Sequence, residues 1–244
     1  MQNIKTILIT GSSQGLGFEI AKFLDKSEIQ LILTGRLKQK LDYACSQLKY
    51  NPISFPLDLS DVSSLKLFIK NMIDQNLIPD IIIHNLGKKI DGDQQPLTVD
   101  ILRKTMMINL EVAVALNEAF IPHMLEKKWG RIIHISSDSA KTGRSSPGQA
   151  ASKGAINAYV KSAARYYAKN NIMFCAILPT IFEHENSVWA EKKAQQPDYY
   201  QQRKQEMPME RFAHPAELAG FIADIALNPS IMCSGSLIEL TGAY

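Results

Sequence analysis

The chain has 244 residues, of which 45% are hydrophobic, a net charge of +3 and three cysteines. That length and apolar content support one large α/β core, and a small charge without a dense basic run argues against nucleic acid or an acidic membrane surface as partner. Cys45, Cys175 and Cys233 are odd in number and widely spaced, which reads as buried small apolar residues and argues against a disulfide framework or metal site, and without a secretory leader or membrane-length apolar stretch a cytoplasmic protein is expected.

Ile4, Ile7, Leu8 and Ile9 form a short apolar run that reads as a buried parallel strand. Gly11, Gly15 and Gly17 follow, then Phe18, Ile20, Ala21, Phe23 and Leu24 at helical spacing. Strand, glycine turn and helix present free backbone N–H groups at the positive end of a helix dipole, which suits a phosphate. Gly11 permits the tight turn, Gly15 the approach of a pyrophosphate, and Gly17 the close packing of helix on strand. A second strand, Ile29 to Thr34, ends at Gly35-Arg36 and leads into an amphipathic helix over 37–48. At that strand tip a carboxylate would bond the adenosine 2′-hydroxyl and repel a 2′-phosphate. None is present, and the planar fork of Arg36 suits a phosphate, so NADP is expected over NAD; a merely solvated Arg36 is the plainer alternative.

Ile53 to Leu57 reads as the third strand, closed by Asp58 in the phrase PLDLSD, and Ser60 or Asp61 caps the next helix. Asp80 to Asn85 is a fourth apolar strand, stopped by Leu86-Gly87. This alternation predicts a doubly wound, Rossmann-type parallel sheet with helices on both faces, in a single domain over 1–244. Ligands on such sheets bind outside the carboxyl ends of the strands, where Gly11, Arg36, Asp58 and Asn85 fall.

A polar loop over 88–96 precedes a long helical segment from about Thr98 to Lys127, which holds Asn109 among apolar neighbours. Asn109 reads either as a core amide bonded to backbone or as a helix-kinking, water-binding residue. Arg131 to Ser136 is a fifth strand running into Ser137, Gly148 to about Lys169 a helix, and Ile172 to Leu178 a sixth strand. An extended segment at about 180–210, polar and without strong periodicity, is expected to be a substrate lid. Pro215 to Leu227 and Leu237 to Leu240 supply the last helix and strand.

With these pieces placed, the chain resembles the short-chain dehydrogenase/reductases, most closely the branch with the 3-oxoacyl-carrier-protein reductases. The phrases that carry the resemblance are TGSSQGLG at 10–17, LDLSD at 57–61, HNLG at 84–87, Asn109, GRIIHISS at 130–137, ASKGAI around Lys153 and RFAHPAELA at 211–219. The resemblance implies a seven-stranded sheet, a nicotinamide cofactor, a small carbonyl or alcohol substrate and a homo-oligomer, tetramer or dimer. It implies cofactor contacts from Gly11, Ser13, Gly15, Leu16, Gly17, Arg36, Asp58, Leu59, Asn85, Gly87, Lys153, Pro179 and Thr180. By the same resemblance Ser137 would hold the substrate oxygen, Lys153 would bind the ribose and tune a neighbouring Tyr, and Asn109 would anchor a relay water.

The Tyr that would donate the proton belongs four residues before the Lys, on the same helical face. Here that position is Gln149, whose amide has no pKa near neutrality and cannot be a general acid or base. Tyr159 lies ten positions further, about 280° round the helix at 100° per residue, and is expected to pack. His184, Tyr199 and Tyr200 are the candidate replacements. Three functions are therefore open: an NADP(H)-dependent oxidoreductase with a non-standard proton donor, a non-catalytic cofactor-binding subunit of the same fold, and different chemistry on the bound cofactor such as an epimerisation or an enoyl reduction.

Overall fold

A computed structural model describes residues 5–185, 187–227 and 230–244; Ile4, the expected first strand residue, lies outside them. Seven strands form one fully parallel sheet: β1 (Lys5–Ile9), β2 (Ile29–Gly35), β3 (Ile53–Pro56), β4 (Ile81–His84), β5 (Gly130–Ile135), β6 (Ile172–Pro179) and β7 (Leu237–Leu240). Their spatial order is β3-β2-β1-β4-β5-β6-β7. The order reverses between β1 and β4, which opens a crevice at their carboxyl ends where a doubly wound sheet binds its ligands.

The unbroken apolar strands have one physical reason: both faces of the sheet are covered. On one face α1 (Gly15–Leu24), α2 (Lys38–Ser46) and α10 (Pro215–Leu227) pack Leu16, Ile20, Leu41 and Ile222 against Ile7, Ile9 and Leu33. On the other, α3 (Val62–Asp74), α5 (Val112–Lys127) and α7 (Pro147–Tyr167) pack Phe68, Leu116, Phe120 and Val160 against Leu8, Ile82 and Phe174. Asp61 caps α3, its carboxylate accepting from the Ser64 N–H at 2.7 Å.

Three expectations are corrected. The long helix is not continuous: α4 (Val99–Met106) passes into a π-turn over Met107–Glu111 before α5 begins. The segment after β6 is not irregular, since it carries α8 (Val188–Gln195) and α9 (Pro197–Gln205). Their apolar residues are too few to show a helical period, and they pack through aromatic stacking, Trp189 on Tyr199 and on Phe212. Finally, of the three free cysteines only Cys175 is fully buried, while Cys45 and Cys233 are partly exposed. No helix among the described residues is long and apolar enough to cross a membrane.

Candidate active site

The first wall of the crevice is the turn after β1. Gly11 and Gly15 hold φ of +64° and +60°, a left-handed backbone that side chains disfavour. The turn is pinned from β4 by Asn85, whose Nδ2 donates to the carbonyls of Gly11 at 2.8 Å and Thr10 at 3.1 Å. A Cβ on Gly17 would stand 2.6 Å from the Gly11 carbonyl oxygen and 2.5 Å from Asn85 Nδ2, so only glycine lets α1 start this close to the strand. Ser13 and Gly15 line a hollow beside this turn, while Leu16 turns inward to the core.

Arg36 is exposed just past the end of β2. Its charge helps to hold the Asp58 carboxyl below the usual range, although burial opposes this and bonds from Ser60 contribute more. Leu59, next to Asp58, is buried under α3. Lys40 Nζ donates to Gln14 Oε1 at 3.0 Å, which brings a second cation to the glycine turn. Sequence reading missed Lys40, because nothing in a helical period marks which exposed lysine leans back over a neighbouring turn.

The centre of the crevice lies at the ends of β4 and β5. The π-turn aims Asn109 inward, and its Oδ1 accepts from the Lys88 N–H at 3.1 Å while its Nδ2 donates to the Lys88 carbonyl at 3.2 Å. The same Nδ2 reaches Gln149 Oε1 at 3.4 Å. Asn109 is thus both the backbone-bonded amide and the residue at the break in the helix. Lys153 is fully buried, its Nζ donates to the Ile135 carbonyl at 2.7 Å, and burial pushes its pKa down to about 8. A Cβ on Gly87 would meet Asn109 Oδ1 at 2.7 Å and Lys153 Nζ at 3.2 Å, so Gly87, Asn109 and Lys153 close on one another.

Gln149 sits at the start of α7 because Asp93, in the preceding polar loop, anchors that helix. The Asp93 carboxylate accepts from Ser146 Oγ at 2.6 Å, Gly148 N–H at 2.7 Å and Gln149 N–H at 2.9 Å. Asp93 was not singled out in the sequence, since its partners lie more than fifty residues away. Ser137, just beyond β5, lines the same 990 Å³ cleft as Gln149 and Gly87. Its Oγ donates to Asp138 Oδ1 at 3.0 Å and accepts from the Ser139 hydroxyl at 3.0 Å and the Ser139 N–H at 3.1 Å.

The far wall comes from the segment after β6. Pro179 closes that strand, and Thr180 follows with its hydroxyl buried beside the Asp138 carboxyl. His184 does not face Ser137 alone: it spans the cleft and the glycine turn, and a Cβ on Gly15 would stand 2.8 Å from its Nε2. Burial, then the charge of Lys40, holds its pKa below the ordinary imidazole value. Tyr199 lines the cleft. Tyr200 does not: it is buried with Met207 and Phe212 and bonds the Glu183 carboxylate. Burial and that carboxylate push its pKa up to about 12, so Tyr200 drops out as a proton donor. Tyr159 packs as expected, against His134 and Phe174.

The sequence profile described as short chain dehydrogenase matches residues 5–196. The chain belongs to that family. It is similar to two insect proteins named dehydrogenase/reductase SDR family protein 7-like, from Anopheles gambiae (33% identical) and Drosophila melanogaster (31%). Each match covers 72% of this chain, which spans only 59% and 56% of those relatives. It is also 30% identical to the 3-oxoacyl-[acyl-carrier-protein] reductase of Buchnera aphidicola subsp. Acyrthosiphon pisum, over 98% of this chain and 97% of that one. Among solved structures, a 3-oxoacyl (acyl-carrier-protein) reductase from Agrobacterium tumefaciens with NADP bound superposes with a TM-score of 0.90 at 25% identity, covering 100% of this chain and 95% of that one.

Proposed function

We propose that this short-chain dehydrogenase is an NADP(H)-dependent oxidoreductase acting on a carbonyl or alcohol group of a small molecule, with a proton donor other than residue 149. The observation that carries the reading is the convergence of Asn109 and Lys153 at one end of a cleft that also holds Ser137. Lys153 is a buried ammonium without a carboxylate partner among the described residues, a costly arrangement in a side chain that only packs.

The cofactor fits the residues present. The left-handed glycine turn suits a pyrophosphate at the start of α1, with His184 packed against Gly15 beside it, and Arg36 and Lys40 supply cations for a 2′-phosphate. Thr180, lining the cleft, supports a carboxamide contact, and the buried Lys153 a ribose contact. Asp58, Leu59, Asn85 and Gly87 line the adenosine-to-nicotinamide path in this reading, with Pro179 behind Thr180. The bound dinucleotide supplies or takes the hydride. The chain's own residues orient the substrate oxygen at Ser137, hold Lys153 against the ribose through Ile135, and fix the Lys88 backbone through Asn109. The segment at about 180–210 acts as lid to a domain spanning 1–244. Partly exposed Leu110 and Val114, beside exposed Val62, line an apolar groove that supports a homo-oligomer.

One observation favours the second reading, a non-catalytic cofactor-binding subunit: Gln149 turns its amide oxygen to Asn109 and offers no proton. NADPH oxidation against a panel of carbonyl compounds, run for the wild type and Gln149→Tyr, separates the two. Turnover by the wild type, lost in Ser137→Ala, is the expected result. Turnover by Gln149→Tyr alone assigns the chain to the second reading.

A further inference from the structure

The reading above leaves a proton without a source. Hydride addition to a carbonyl carbon makes an alkoxide, and the group that would neutralise it in this fold is absent. The cleft holds one carboxyl group in contact with the residue that would hold the substrate oxygen. Asp138 follows Ser137 at the end of β5, and its Oδ1 lies 3.0 Å from Ser137 Oγ. Ser137 Oγ also takes bonds from the Ser139 N–H and hydroxyl, so without substrate its proton rests on Asp138. The backbone holds this geometry in place: the Asp138 N–H donates to the Pro179 carbonyl at 3.1 Å, and α6 (Ser139–Thr142) starts immediately after it.

From these contacts we infer that Asp138 is the proton source for reduction, acting through Ser137. With substrate in the cleft the Ser137 hydroxyl turns from Asp138 to the substrate oxygen, which takes its proton as the carbonyl π bond breaks and hydride bonds to carbon. Ser137 Oγ takes the proton of the Asp138 carboxylic acid on the lone pair that the Ser139 hydroxyl vacates by rotating, and Asp138 is left as carboxylate. The carbonyl carbon is reduced and the dihydronicotinamide oxidised, with solvent returning the proton to Asp138 through the open cleft. The reverse sequence serves alcohol oxidation. This inference rests on the oxidoreductase reading, and it names what that reading lacks.

The surroundings suit a carboxyl that stays protonated further towards neutral pH than an exposed one. Burial raises the Asp138 pKa, and the bonds from Ser137, the Ser139 N–H and the Thr180 hydroxyl, with the charge of Arg203 on α9, oppose this without cancelling it. Arg144, in the loop before α7, faces it as a second cation. Both guanidiniums are engaged elsewhere, each donating to the Tyr244 hydroxyl, at 2.7 Å from Arg144 and 2.8 Å from Arg203, and Arg203 also pairs with Glu206. Lys88, Lys89, Lys192 and His184 line the same cleft, while Lys141 of α6 is paired with Glu239.

Four proteins test this: wild type, Asp138→Asn, Gln149→Tyr and the double variant, assayed for NADPH oxidation across pH 5–9 with NADPH affinity measured separately. The expected wild-type kcat falls on the alkaline side as Asp138 loses its proton. Asp138→Asn should lower kcat by about 10²–10⁴-fold, remove that alkaline limb and leave NADPH affinity unchanged. Adding Gln149→Tyr to Asp138→Asn should recover at least tenfold, because it supplies an independent acid; a purely structural defect would not be rescued.

Carbon-13 NMR of the aspartate carboxyls, without cofactor, should show one group titrating above the rest that disappears in Asp138→Asn. Wild-type turnover and pH profile surviving in Asp138→Asn, or Asp138 titrating like an exposed aspartate, overturns this inference alone. Turnover by Gln149→Tyr but not by the wild type overturns the oxidoreductase reading and the inference with it.

Discussion

Replacing His134 by leucine should stabilise the protein, and more so in acid. His134 on β5 is in register with His84 on β4, and the two buried rings lie 4.5 Å apart. His84 has a partner, Asn117 Oδ1 at 2.8 Å from its Nε2, and Asn117 in turn donates to the Tyr159 hydroxyl at 3.2 Å. Both ring nitrogens of His134 are buried without a hydrogen bond among the described residues. Leaving a buried polar group unsatisfied costs about 1–3 kcal/mol. Leucine, of similar volume, removes that cost but forfeits ring contacts with Phe174 and Tyr159 worth about 0.5–1.5 kcal/mol. The net expectation at pH 7.5 is a gain of about 1 kcal/mol, or roughly 2–4 °C in Tm for a chain of this size.

The acid limb gives the sharper test. Burial pushes the His84 pKa down to about 4, and burial with the nearby His84 and Lys153 holds His134 well below 6.5. Both imidazoles are therefore neutral in the fold and take up protons on unfolding. Their contribution is complete above about pH 6.5 and is lost as pH falls, by about 2 kcal/mol at pH 5 for His84 with its folded pKa of about 4. His134→Leu removes one of the two. Its advantage in urea unfolding, about 1 kcal/mol at pH 7.5, should grow steadily as pH falls to 5. A loss of stability at pH 7.5, or an acid slope unchanged from wild type, would refute the reasoning and mean that the His134 ring is satisfied within the fold.

Lys153→Met should raise stability at pH 7 by about 1–3 kcal/mol while weakening NADPH binding, because it removes an ammonium whose pKa burial has driven down to about 8. The folded pKa lies below the unfolded one, so the stability gap should narrow as pH rises from 8 towards 10.5; a gap that widens would contradict it. Gly17→Ala, with its Cβ against the Gly11 carbonyl, should cost about 1–3 kcal/mol and weaken NADPH at least tenfold by fluorescence titration. Asp93→Ala strips the cap from two N–H groups of α7 and should lower the urea midpoint by the equivalent of about 1–3 kcal/mol.

The amino-acid sequence alone determined the sheet, because its evidence is local: unbroken apolar runs, glycines after the first run, and helical periods between. The glycine turn and the ordered phrases of the family resemblance were legible for the same reason, as was Gln149 at the position of the missing tyrosine. What only the tertiary structure decided depends on partners distant in the chain. Asn109 was ambiguous until the π-turn set it against Lys88, and nothing local to it marks a break in an apolar helix. His184 and Tyr200 both stood as proton donors on intrinsic chemistry, and packing sent one to the glycine turn and the other to a carboxylate in an apolar cluster. Asp138 went unnoticed beside Ser137 because an aspartate after a strand reads as a solvated loop residue. Burial and its hydrogen bond to Ser137, supplied by folding, make it an acid of interest.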